Sequence, residues 1–279
     1  MQTGHYAPDN SRIQYSCRGT GPRLLFCFHG YGESADTFSF LAESLGNDYT
    51  LVAFDLPFHG QTHGQTLGQT DWQGPLFFDP AGLLTQMEEI NSGLPGRTGP
   101  WTLMGYSMGG RVALHLLQLA PEKIGKMVLL APDGLRMNPW YWLATQTRAG
   151  NRLFRFTMRH PDWLFFLLRI GNAIHCVNPG IYKFTTRYID NIKVRQDLYA
   201  RWTIMRGFRP KPGLIRNIIR SRKIPVRLVY GRYDRIIRAE RGQRFRKGIE
   251  DLCALLVLPT GHHLLQTGNQ EIIENAITS

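Results

Sequence analysis

The stretch Trp101-Thr102-Leu103-Met104-Gly105-Tyr106-Ser107-Met108-Gly109, running on through Gly110-Arg111-Val112-Ala113-Leu114-His115-Leu116-Leu117-Gln118-Leu119, decides how this chain is read. Trp101–Met104 is an apolar run of strand length. From Met108 to Leu119 apolar residues recur at helical spacing, and Pro121 stops them. Between the two lies Gly-x-Ser-x-Gly. A strand that turns into a helix this abruptly needs small residues on both sides of the turn, and it lifts the serine hydroxyl clear of the sheet. The bland alternative is a glycine-rich bend with a capping serine. The strand before it and the helix after it favour a nucleophile.

Similar apolar runs flank this one at Arg23–Phe28, Tyr49–Phe54, Lys126–Leu130, Val226–Tyr230 and Ala254–Leu258. Several are apolar on both faces, as buried strands of a parallel sheet are. Helical patterns lie between them, one opened by the N-cap pair Asp79-Pro80 and running toward Asn91. This alternation predicts an α/β fold, a doubly wound and mostly parallel sheet. Tyr6–Cys17, with Asp9-Asn10 at its middle, reads as an antiparallel hairpin at the sheet edge. The recurrence of Gly-Gln-Thr at 60–62, 64–66 and 68–70 reads as a polar loop with nothing to pack.

A serine hydroxyl is a weak nucleophile near neutral pH; it needs a base, and the base needs an orienting acid. His262 follows Gly261 just after the last predicted strand, and Asp234 closes Gly231-Arg232-Tyr233-Asp234 after the one before. Ser107, Asp234 and His262 thus each follow a different strand, on the rim where open α/β sheets bind ligands. Two competitors stand beside them: His263 as base and Asp133 as acid. His29 and His59 read as holders of loop backbone. His5, His63, His115, His160 and His175 show no metal spacing, and the cysteines read as inert packing residues.

On these motifs the chain resembles the α/β-hydrolase fold family in its capped, single-domain form. His29-Gly30-Tyr31-Gly32 resembles the family's oxyanion loop, and Asp55-Leu56-Pro57-Phe58-His59-Gly60 its Asp-x-Pro-Gly-His-Gly turn. Gly105–Gly109 resembles the nucleophile elbow, Gly231–Asp234 the acid loop and Gly261-His262 the histidine loop. The resemblance implies Ser107 as nucleophile, His262 as general base, Asp234 as its orienter, and the backbone N–H groups of Tyr31 and Met108 as oxyanion hole. It covers residues 4–135 and 222–279. Phe58 stands where glycine is usual and Thr62 where serine is common, a departure that widens or stiffens the turn without touching a catalytic atom.

The 279 residues, 43% hydrophobic and 19% charged, suffice for a large core and exclude a disordered chain. No uncharged apolar stretch is long enough to span a bilayer, the start lacks the layout of a signal peptide, and no Cys-x-x-Cys pair occurs among four cysteines. A cytoplasmic protein is expected, its oligomeric state open. The net charge of +12 is uneven, because residues 136–223 hold 18 Lys and Arg against three Asp. That segment also carries 14 of the 32 aromatics. It reads as amphipathic helices, and the expected division is a core of residues 1–135 and 222–279 with a helical cap over 136–221.

Cap aromatics point to a substrate with an apolar acyl or ring group. The arginines point to an anionic small-molecule substrate, to transient contact with an anionic membrane, or to a merely solvated face. Nucleic acid is not expected, since the basic residues are interspersed with aromatics and no binding motif occurs. No metal or organic cofactor is implied. The leading function is a serine hydrolase of carboxylic esters or thioesters through an acyl-enzyme on Ser107. Carbon–carbon bond hydrolysis, lyase or acyltransferase chemistry on the same three residues is the alternative, and a non-catalytic binding protein on this scaffold is a further one.

Overall fold

In the computed structural model, residues 2–4, 13–62, 77–174 and 189–279 are described. Contacts divide the chain into two units. One comprises Met1–Thr66, Asp79–Met137 and Phe208–Ser279, the other Leu67–Phe78 and Asn138–Gly207.

The first unit is built on a sheet of β1 (Gln2–Gly4), β2 (Tyr15–Arg18), β3 (Arg23–Phe28), β4 (Tyr49–Phe54), β5 (Trp101–Tyr106), β6 (Ile124–Leu130), β7 (Val226–Gly231) and β8 (Cys253–Leu258). The strand order is β1-β2-β4-β3-β5-β6-β7-β8. Pairing is antiparallel for β1 with β2 and for β2 with β4, and parallel from β4 through to β8. Every residue of β4 and β5 is buried, as strands covered on both faces must be. β8 lies at the edge, its ends Cys253 and Leu258 buried and Ala254 and Leu256 exposed between them. The antiparallel edge pairs Gln2–Gly4 with Tyr15–Arg18, so its first strand lies ahead of the Tyr6–Cys17 stretch that the sequence reads as a hairpin; the expected turn at Asp9-Asn10 lies outside the described residues.

Helix α1 (Pro80–Gly93) starts at Asp79, whose carboxylate accepts the N–H groups of Ala81 and Gly82 (3.1 and 3.2 Å). Helix α2 (Met108–Leu119) follows Ser107 directly and buries nearly its whole length against β3, β5 and β6. The sequence-based boundary of the insertion falls differently from the contacts. Pro212–Arg222 is helical, but it buries Ile215 and Ile219 and packs on α2, within the first unit.

The second unit is helical among its described residues: α3 (Pro139–Gln146), α4 (Arg148–Arg159), α5 (Asp162–Ala173) and α6 (Ile192–Ile204). Asn138, Thr147 and Asn191 cap α3, α4 and α6 with their side-chain oxygens. Tyr141, Phe154, Tyr199 and Trp202 form an aromatic cluster with ring centroids 5.3 to 5.6 Å apart. Helix α5 buries none of its residues.

Two motif residues correct the sequence reading. Thr62 is fully buried: its hydroxyl donates to the Asp55 carbonyl (2.8 Å) and accepts the Gln14 N–H (2.9 Å). The first Gly-Gln-Thr is therefore pinned to the sheet by Thr62; the later two lie outside the described residues. Phe58 adopts φ +61°, the left-handed region where a glycine costs nothing, and full burial of its ring holds it there. Asp55 anchors the same turn, its carboxylate accepting the N–H groups of Ala35 (2.7 Å) and Gln61 (2.8 Å). Asp55→Ala should strand the buried Ala35 N–H, release the part-buried Gln61 N–H, and lower unfolding free energy by about 2 kcal/mol or more. Urea titration checks this, and a loss below about 1 kcal/mol would refute it.

Candidate active site

The site grows from the geometry of three loops. β5 ends at Tyr106 and α2 begins at Met108, leaving Ser107 alone to make the turn at φ +50°, ψ −114°. Such a conformation costs on the order of 1–3 kcal/mol and persists only where its surroundings over-determine it. Here they do. The Ser107 N–H donates to the Leu130 carbonyl (2.9 Å), and its own carbonyl accepts the N–H groups of Gly110 (3.0 Å) and Asp133 (2.8 Å). A Cβ at Gly109 would stand 1.9 Å from the Phe28 carbonyl oxygen, so only glycine lets α2 start against the end of β3.

The Asp234 loop leaves β7 and the His262 loop leaves β8, and the two loops touch. A Cβ at Gly231 would lie 2.0 Å from the Gly261 carbonyl oxygen, and the Tyr233 N–H donates to the Thr260 carbonyl (2.9 Å). The Asp234 side chain is wholly buried. Its Oδ1 accepts the N–H groups of Ile236 (2.7 Å) and Ile237 (2.9 Å), leaving Oδ2 to accept His262 Nδ1–H (2.6 Å). With Nδ1 donating, His262 Nε2 is the acceptor that faces Ser107 Oγ at 3.1 Å. The three residues form one hydrogen-bonded line from an accessible hydroxyl to a buried carboxylate.

Their competitors are placed elsewhere. The His263 side chain is 67% exposed, with Nδ1 3.9 Å from Glu33 Oε1. The Asp133 carboxylate is spent on the buried Arg111 guanidinium and on the Gly134 N–H (2.7 Å). His29 and His59 hold loop backbone, as read. The Leu56 N–H donates to His29 Nε2 (3.0 Å), His29 Nδ1 donates to the Gly30 carbonyl (2.7 Å), and His59 Nδ1 lies 2.8 Å from the Pro57 carbonyl oxygen.

Tyr31 and Met108 are placed by neighbouring strands, since β3 and β5 pair with Phe28 opposite Gly105. Met108 opens α2, where a helix has no internal partner for its N–H. Two further residues at this rim are missed by the sequence reading. The Tyr106 hydroxyl donates to the His262 carbonyl (3.0 Å), tying the elbow to the histidine loop. Glu33 Oε2 accepts the Gly30 N–H (3.1 Å), and burial raises its carboxyl above the ordinary range. Tyr106 carries a signal, being the residue before the serine; Glu33 carries none. Among the described residues no group of three or more His, Cys, Asp or Glu is arranged to hold a metal ion. Burial raises the thiol pKa of Cys17, Cys27 and Cys253, the last to about 12, while Cys176 lies outside the described residues.

Comparison with known proteins agrees with this architecture. The chain is 32% identical over 133 residues to a pimeloyl-[acyl-carrier protein] methyl ester esterase of Nitrosomonas europaea, covering 47% of this chain and 46% of that one. The chain thus spans less than half of that relative's length. It is 25% identical over 277 residues to the uncharacterized hydrolase YugF of Bacillus subtilis, covering 98% and 95% of the two chains. Among solved structures, the thioesterase domain from the curacin biosynthetic pathway superposes with a TM-score of 0.59 at 19% identity, covering 100% and 99% of the chains. That likeness is one of fold. The model of the alpha/beta hydrolase family matches residues 24–274, and the chain belongs to that family.

Proposed function

We propose that this protein is a serine hydrolase that cleaves a carboxylic ester or thioester through an acyl-enzyme on Ser107. The observation that carries the reading is the unbroken line from Ser107 Oγ through the His262 ring to Asp234. Ser107 Oγ attacks the carbonyl carbon as its proton passes to His262 Nε2. Asp234, fixed by two backbone N–H groups, holds the ring in the tautomer that leaves Nε2 free to accept, and stabilises the imidazolium that forms. The carbonyl oxygen becomes an oxyanion, for which the Tyr31 and Met108 N–H groups are the proposed donors. Collapse expels the alcohol or thiol, protonated by His262. Water, deprotonated by the same Nε2, then attacks the acyl-enzyme, and the acid leaves with Ser107 restored.

The names of the esterase relative and of the thioesterase neighbour support this chemistry. We assign substrate choice to the helical insertion that leaves the chain after β6, with its aromatics suited to an apolar acyl or ring-bearing group. Turnover on a panel of esters, thioesters and diketones tests the reading: hydrolysis of the diketones alone would move the chemistry to carbon–carbon bonds.

Ser107→Ala should lower kcat by on the order of 10³-fold or more and abolish labelling by a fluorophosphonate, with the melting temperature kept. Near-wild-type turnover would end the proposal. Asp234→Asn should cost on the order of 10³- to 10⁴-fold in kcat, because the amide no longer selects the right His262 tautomer. Asp133→Asn should act on stability instead, since it weakens the partner of the buried Arg111, and kcat should stay within a few fold. Paired kinetics and thermal melts of the two variants check the ranking; the reverse order would assign the acid role to Asp133.

A further inference from the structure

The second unit leaves many large apolar side chains open to solvent, besides the aromatic cluster of Tyr141, Phe154, Tyr199 and Trp202. Helix α5 buries no residue, yet Trp163, Phe166, Leu167 and Ile170 recur along it at i, i+3, i+4 and i+7 spacing, and Ile174 follows at its C-cap four positions on, all exposed. Phe166 and Ile174 are 61% and 62% exposed, and Trp140 on α3 is 76% exposed, with Trp142 beside it. Large apolar side chains left this open on a folded unit mark a contact surface.

The charges on α4 and α5 are nearly all of one sign. Arg148, Arg152, Arg159 and Arg169 are exposed, and Asp162 is the sole acidic residue between positions 138 and 174. On α4 the arginines alternate with exposed Leu153 and Phe156. Exposed tryptophans, an apolar helical stripe and flanking arginines are the attributes of helices that lie in the headgroup region of a bilayer. Among the described residues no helix is long and apolar enough to cross one. An acidic protein would satisfy the arginines, but it offers a flat stripe of five alkyl and aromatic side chains no equally general match.

We propose that the second unit docks on the surface of anionic lipid membranes, with the α5 stripe and the α3 tryptophans seated among the acyl chains and the arginines on lipid phosphates. The docking is independent of the chemistry assigned to Ser107. It implies an affinity that depends jointly on lipid charge and on apolar insertion, since each arginine near an anionic surface strengthens binding by about fivefold.

The test is flotation of the full chain with vesicles of phosphatidylcholine, with and without phosphatidylglycerol. Binding to the mixed vesicles should exceed that to phosphatidylcholine alone by on the order of tenfold or more. It should weaken as salt rises from about 0.01 to 0.15 M and the Debye length contracts from about 30 to 8 Å. Arg152→Glu with Arg159→Glu, and separately Phe166→Glu with Ile170→Glu, should each lower the partition coefficient on the order of tenfold. All four positions are exposed, so the circular dichroism spectrum and melting temperature of both variants should match the wild type. Tryptophan fluorescence of the wild type should shift to the blue on mixed vesicles and be quenched by brominated acyl chains. Equal binding to both vesicle types, no binding to either, or folded variants that bind as the wild type does would each overturn the proposal. An acidic protein as the true occupant would appear as the second of these.

Discussion

The arrangement depends on one close approach. The first turn of α2 lies against the end of β3, with Gly109 where any side chain would collide with the Phe28 carbonyl oxygen. That contact sets where the helix begins, and therefore where the strand before it must stop. With β5 ending at Tyr106 and α2 starting at Met108, a single residue has to reverse the chain, and Ser107 takes a conformation that costs free energy. Three backbone hydrogen bonds and the largely buried strands on either side offset that cost. The hydroxyl is aimed by the same backbone that strains it, so it needs no side-chain bond of its own beyond the one to His262.

A second close approach complements the first. β7 and β8 pair in register from Val226 with Cys253 to Gly231 with Leu258, and the loops beyond them meet at Gly231 and Gly261. Asp234 and His262 therefore come from chain segments whose separation is set by a strand pair rather than by flexible side chains. Both Asp234 oxygens are committed, one to two backbone N–H groups and one to His262, so the carboxylate has one orientation. Tyr106 closes the circle by bonding the His262 carbonyl from the elbow. Pre-organisation of this kind removes reorganisation from the reacting step.

Most of this was legible in the residues. The strands at 23–28 and 49–54 and the helix at 108–119 read correctly because buried parallel strands and a helix stopped by proline leave strong local patterns. Ser107, Asp234 and His262 were legible because each follows a strand pattern and a glycine, two of which, Gly105 and Gly231, the packing requires. Thr62 was not, since its burial follows from a partner 48 positions away, at Gln14. Asp133 and Asp234 are equivalent in sequence, both just past strands. What separates them is that Arg111, one turn into α2, occupies the first. Phe58 reads as a departure from a glycine position, and the structure keeps the backbone of that position while paying for it with a buried ring. The Pro212–Arg222 helix was grouped with the insertion because its basic composition resembles it; the apolar face that decides its packing is only Ile215 and Ile219 wide.

Charge is the property that composition conveys least well. The excess of arginine between 136 and 223 is a single number, yet its members do different work. Arg195 is buried, its Nε and Nη1 donating to the carbonyls of Met158, Ile189 and Asp190 at 2.6 to 2.8 Å. It staples the chain entering α6 to the end of α4 and satisfies carbonyls that helix ends leave open. Arg201 pairs with Asp197 one turn earlier. Neither contributes much to a field outside the protein, because the first is enclosed and the second is neutralised. On α4 and α5 the field that a ligand or a surface meets comes from Arg148, Arg152, Arg159 and Arg169, which lie open to solvent on helices whose apolar side chains are also open. Exposed charge alone would be solubility, and exposed apolar area alone a folding liability. Their coincidence on the same helices is what turns a basic composition into a recognition surface.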